Sequence, residues 1–210
     1  MQISLTTAVN AFKHWASGYP VEERSGEWEC DYAQWPHIHD AFLHHLNTCL
    51  PASATPGDMA DLLYALGRDN ETGYLAKALA RHKDWFLLLL PQALRDDDAD
   101  VRWQFALQLG LGDFPATSAE PALLTLCQDR HEYVSRMALQ ALGRIASGHA
   151  QRLCERAWAT GHEYQRIMAL WVLKEIKSSR LPEYILAAKA DGRKFLLGNA
   201  IELEHGTTGS

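Results

Sequence analysis

Residues 131–146 read HEYVSRMALQALGRIA, and residues 162–177 read HEYQRIMALWVLKEIK. Laid over each other at an offset of about 31 residues, His131 falls on His162, Glu132 on Glu163 and Tyr133 on Tyr164. Met137-Ala138-Leu139 likewise falls on Met168-Ala169-Leu170. Self-similarity at such a period marks a repeat architecture, in which each unit is too small to hold a private core and must stack on its neighbours. Within the first copy, Val134, Ala138, Ala141, Leu142 and Ile145 follow i, i+4, i+7, i+8, i+11, the apolar face of an α-helix. The second copy repeats the face as Gln165, Ala169, Val172, Leu173 and Ile176, with a glutamine where valine stood. A shorter apolar segment precedes each copy (LLTLC, RLCERAW), so each unit reads as a helix pair.

The register extends outward. One step before Ala138 lies Ala106, in DADVRWQFALQLG; one step after Ala169 lies Ala200, in DGRKFLLGNAI; a fainter copy, DNETGYLAKALAR, contributes Ala76. A small residue at a fixed place in each unit lets neighbouring helices approach closely. An acidic residue opens three of the second helices (Asp100, Glu132, Glu163), with Arg102, Arg136 or Arg166 a turn inside. Over roughly residues 56–202 this pattern resembles the HEAT-repeat superfamily, in particular the short bacterial HEAT-like repeats also seen in phycobilin lyase subunits. The expected fold is all-α, an α-solenoid of HEAT-like helix pairs behind a divergent N-terminal helix pair. The expected organisation is residues 1–55 as divergent helices with an acidic, aromatic loop, 56–202 as the array, and 203–210 as a flexible tail.

Composition narrows the class. The 210 residues are 47% hydrophobic, too many for a disordered chain. The longest apolar run, Trp85-Phe86-Leu87-Leu88-Leu89-Leu90, falls far short of the ~18 residues that cross a bilayer. The opening MQISLTTAVNAFKHW lacks a basic segment followed by an apolar one, so no signal peptide is expected. Cys30, Cys49, Cys127 and Cys154 show neither close pairing nor metal spacing, which fits reduced thiols in a cytoplasm. The net charge of −6 is uneven: residues 1–70 hold nine acids against three Lys/Arg, whereas 130–180 hold nine Lys/Arg against four acids. Such asymmetry suits electrostatic recognition of partners as well as plain solubility.

Three stretches carry candidate chemistry. His37, Asp40 and His44 share one helical face and could offer two imidazoles and a carboxylate to a metal, although a span of two turns is long for one ion. An amphipathic helix whose polar face happens to use histidine explains them better, since no ligand from outside the helix can be named, and no metal or cofactor is expected. The stretch Gly26-Glu27-Trp28-Glu29-Cys30-Asp31-Tyr32 alternates acids with aromatics, as an interface would; Trp28 and Tyr32 could instead pack over the end of the array. Tyr133, Arg136, Tyr164 and Trp171 occupy positions of the second helices outside the apolar stripe, and Tyr, Trp and Arg are the side chains that anchor interfaces.

No GxSxG, P-loop, GxGxxG or HExxH is present. The expectation is a non-enzymatic protein-interaction scaffold, or an inhibitor- or immunity-type binding protein, of a bacterial cytoplasm, with another protein as partner through Trp28, Tyr32, Tyr133, Arg136, Tyr164 and Trp171. The resemblance also implies a rival, a HEAT-like alkylpurine DNA glycosylase using Arg136, Arg166, Lys174, Trp103 and Trp171. The acidic chain, and the lack of an Asp alignable between two groove tryptophans, count against nucleic acid as a partner. A lyase-type chaperone for a tetrapyrrole is a third reading, resting on repeat type alone.

Overall fold

The computed structural model describes residues 3–24 and 26–207. Among these it contains twelve α-helices and no β-strand. The chain divides into two compact units, residues 1–108 and 109–210.

The first unit holds α1 (Leu5–Gly18), α2 (Trp35–Thr48), α3 (Pro56–Arg68), α4 (Tyr74–Arg81), α5 (Lys83–Ala93) and most of α6 (Ala99–Leu111). Local sequence fixes the starts. Ser4 caps α1 by accepting from the Thr7 N–H, and Thr55 with Asp58 forms a reciprocal capping box on α3. The expected boundary at residue 55 does not divide the chain, because α1 packs on both α2 and α3. Phe12, Ile38 and Phe42 are therefore sealed in one core with Leu62 and Leu66. A turn precedes α4. Asp69 accepts from the Thr72 hydroxyl (2.5 Å) and the Leu75 N–H (2.7 Å), holding residues 69–73 as a turn until Tyr74.

The second unit runs through α7 (Ala116–Leu126), α8 (Glu132–Arg144), α9 (Ala150–Ala159), α10 (Glu163–Glu175), α11 (Leu181–Asp191) and α12 (Lys194–Thr207). Pairs form as expected: α7 on α8, α9 on α10 and α11 on α12, while α8, α10 and α12 pack in succession. α7 starts at Ala116, with Pro115 as its cap residue and Pro121 inside it. The alanine ladder is buried throughout, at Ala76, Ala106, Ala138, Ala169 and Ala200, although Ala76 lies in the short α4 and not in a second helix. The tightest seams use glycine: a Cβ on Gly110 would lie 2.6 Å from the Ala141 Cα, and one on Gly143 would lie 2.9 Å from a Val172 methyl.

Gln165, the odd residue in the apolar stripe, is buried with its amide donating to the Glu132 carbonyl (3.1 Å) and the Ser135 hydroxyl (2.9 Å) of the preceding repeat. A buried polar group is tolerable when so satisfied. The residues expected to form a tail from 203 onward begin as helix: Leu196, Ala200 and Leu203 continue one apolar stripe, all fully buried, and α12 runs on to Thr207. The remainder of that expected tail, 208–210, lies outside the described residues.

Candidate functional site

The second unit carries the feature that stands out. Tyr133, Tyr164 and Phe195 occupy the same place in three successive repeats, the second position of α8 and α10 and of α12. That place lies off the buried stripe, so Tyr164 keeps 45% and Phe195 53% of its surface exposed. The Arg136 guanidinium sits between the two tyrosines, 4.7 Å from the Tyr133 ring and 5.2 Å from the Tyr164 ring. Tyr164 in turn stacks on Phe195 at 6.4 Å and 24°. Lys194 lies 5.7 Å over the Phe195 ring, and Lys174 lies 5.1 Å over Trp171, about two turns further along α10 than Tyr164. A guanidinium or ammonium over an aromatic face is held by the ring quadrupole. Tyr133, Arg136, Tyr164, Phe195 and Lys194 thus form a continuous strip of rings and cations, with the Trp171–Lys174 pair further along α10.

The opening carboxylates serve this frame in different ways. Glu132 pairs with Arg136 at 3.0 Å, as i, i+4 spacing allows. Glu163 does not pair with Arg166; it accepts from the Phe195 and Leu196 N–H groups at 3.1 and 3.0 Å, capping α12 of the next repeat. Arg166 turns instead to the Trp158 carbonyl (3.0 Å) and to Asp191. Trp171 is half-buried, its indole donating to Asn199 at 2.6 Å. Tyr133, Arg136, Tyr164 and Trp171 thus lie on neighbouring second helices, and Phe195 joins them. Sequence reasoning missed Phe195, although its spacing of 31 from Tyr164 was there to find.

Trp28 and Tyr32 belong to the first unit and to its interior. Tyr32 keeps only 6% of its surface exposed, with its ring 4.9 Å from Phe12 and 5.1 Å from Trp15. Trp28 stacks on Trp15 at 5.5 Å and 7°, and is half-buried. The expectation of Tyr32 as a surface anchor is therefore corrected: apolar area gained more by packing on α1 than the loop could gain by presenting it. His37, Asp40 and His44 line an open depression of about 570 Å³, and among the described residues no three His, Cys, Asp or Glu side chains are placed to hold a metal. Burial pushes the Cys127 and Cys154 thiols up to about 12, so neither is a thiolate nucleophile at neutral pH.

Residues 86–174 match the family described as HEAT repeats. The repeated helix pairs are HEAT-like. The match covers α5 through most of α10, a narrower span than the 56–202 over which the resemblance was expected; α3, α4, α11 and α12 lie outside the matched residues. No curated protein and no solved structure matches the chain. No helix among the described residues is long and apolar enough to cross a membrane. The HEAT-like second helices α8 and α10 carry most of the aromatic strip.

Proposed function

We propose that this is a non-enzymatic protein-binding module whose second unit grips its partner through the strip formed by Tyr133, Arg136, Tyr164 and Phe195, flanked by Trp171 and Lys174. One observation carries the reading: a large aromatic recurs off the core stripe in three consecutive repeats and stays exposed in the last two. A fold gains nothing by leaving a ring in water at the same register repeatedly, whereas interfaces are anchored by Tyr, Trp and Arg held on rigid elements. HEAT repeats commonly serve as interaction scaffolds, which supports the same conclusion. The finer reading is an inhibitor- or immunity-type partner protein in a bacterial cytoplasm; small size and net acidity support it. The rival use of the chain as a DNA glycosylase loses Arg166 to Asp191 and the Trp158 carbonyl.

The test is capture of a stoichiometric partner by the tagged chain from its native host, followed by Tyr164→Ala and Phe195→Ala. Each is expected to weaken the complex by about 2 kcal/mol while thermal unfolding stays close to that of the parent. Capture of nucleic acid alone, or a complex indifferent to both substitutions, would overturn the proposal.

A further inference from the structure

The first unit contains a small cavity of about 160 Å³ that the protein-binding strip does not use. Trp35 and His39 form its aromatic wall, and Glu29, Arg68, Asp69 and Glu71 complete the lining. Glu29 is 3% exposed, and one of its oxygens takes a hydrogen bond from Arg68 at 2.9 Å. Its carboxylate also accepts from its own backbone N–H, and among the described residues Arg68 is the one other donor to it. Arg68 is also engaged elsewhere, since its second terminal nitrogen pairs with Asp98. The His39 ring lies 5.6 Å from Trp35 and 4.7 Å from Tyr74. Its Nε2 is buried, has no hydrogen-bond partner, and stands 3.9 Å from an Asp69 oxygen.

The charges around the cavity do not balance. Three carboxylates line it, and its one cation is shared between Glu29 and Asp98. Burial pushes the Glu29 carboxyl up despite Arg68, and burial together with the facing Glu27 carboxyl pushes Glu71 up. Bringing more negative charge here would be costly; a positive group would relieve every one of these strains. Its N–H donors would reach the Glu29 carboxylate, which has lone pairs beyond those Arg68 and its own N–H use, and the unpartnered His39 nitrogen, and its face would rest on Trp35.

We propose that this cavity is a binding site for a cationic head group, a guanidinium or primary ammonium on an alkyl stem, stacked on Trp35 and His39 and hydrogen-bonded to Glu29 with Glu71 at the mouth. The cavity has the volume of several water molecules, each about 30 Å³, which suits such a head group and little more. Glu29 alternates with Trp28 and Tyr32 along the loop. The rings pack on Phe12 and Trp15 of α1 while the carboxylate lines the cavity, so the loop builds the site and the core together. The proposal does not rest on the strip of the second unit.

Calorimetric or NMR titration of the whole chain with N-acetyl-arginine amide, agmatine, a Gly-Arg-Gly peptide and N-acetyl-citrulline amide tests it. The arginine probes are expected to bind with a dissociation constant on the order of 1 mM or tighter, and the neutral citrulline isostere at least tenfold more weakly. Glu71→Gln, an exposed change, is expected to lower arginine affinity about tenfold; Glu29→Gln should do the same, and Phe195→Ala in the other unit should do nothing. Tighter binding of the peptide than of agmatine would assign the site to a partner's side chain, and the reverse order to a free small amine; either supports a cation site. Equal binding of citrulline, indifference to Glu71→Gln, or no binding of any arginine probe would overturn it.

Discussion

At the residue scale, two side chains sit where the backbone favours glycine. Ala146 and Lys177, one repeat apart, have φ of +52° and +54°. Each ends a second helix in a Schellman motif: the Ser147 N–H reaches the Leu142 carbonyl and the Ser178 N–H the Leu173 carbonyl, at 3.0 and 2.9 Å. A left-handed conformation costs a non-glycine residue about 1–2 kcal/mol, and glycine returns part of that through its looser unfolded state. Ala146→Gly and Lys177→Gly are each expected to raise stability by about 0.5–1 kcal/mol in chemical denaturation, against the usual penalty for introducing glycine. Asp191 governs a different response. Its hydrogen bonds from Arg193, joined by the charge of Arg166, hold its carboxyl at about 2, below the usual 3.8. The depressed value means that Asp191 stabilises the fold above pH ~4, and that this stability is lost as pH falls from about 4 to about 2. Asp191→Asn is expected to flatten that part of the stability–pH curve and leave it parallel to the parent above pH 5.

At the scale of the element, glycines separate packing from propensity. An exposed helical glycine converted to alanine gains about 1 kcal/mol, and Gly198, with open space around it in α12, is expected to show that gain. Gly143→Ala meets a valine methyl and should come out near zero or slightly destabilised; Gly110→Ala meets backbone and should destabilise by about 1–3 kcal/mol. Equal effects at the three sites, measured by thermal unfolding, would contradict the seams described. The alanines of the ladder were legible in the sequence because burial has a period, and a period survives in a string of letters. The glycine seams were present in the same string but bear no apolar signature. Gln165 looked like a flaw in its stripe because its partners, Glu132 and Ser135, lie in the previous repeat. Tyr32 looked like a surface anchor because one loop offers no period by which to tell the wet side from the dry. The repeated turn before each second helix does have a period, but a polar one, and Thr160 interrupts its run of aspartates. Asp98, Asp129, Thr160 and Asp191 recur every 31 residues, and each side-chain oxygen accepts the N–H two residues on, at Asp100, His131, His162 and Arg193.

At the scale of the whole molecule, charge sorts the two stretches read from the sequence: residues 1–70 carry nine acids against three Lys/Arg, and 130–180 nine Lys/Arg against four acids. Within the second, Arg136, Arg166 and Arg180 are each paired with a carboxylate of the chain, which lowers the charge the stretch can offer to phosphates. Duplex DNA is therefore expected to bind no more tightly than about 10⁻⁴ M at physiological salt in an anisotropy titration, the weak end of the non-specific range. The glycine seams bear on something broader than stability. Gly110 admits Ala141, and Gly143 admits the bulkier Val172, although Ala141 and Val172 hold the same place in their repeats. The modules are consequently keyed like the wards of a lock, each cut for the one behind it. Excising residues 131–161 would keep the reading frame of the turns intact and still bring Val172 against a notch cut for alanine, so the array tolerates neither shuffling nor shortening as freely as its even spacing suggests.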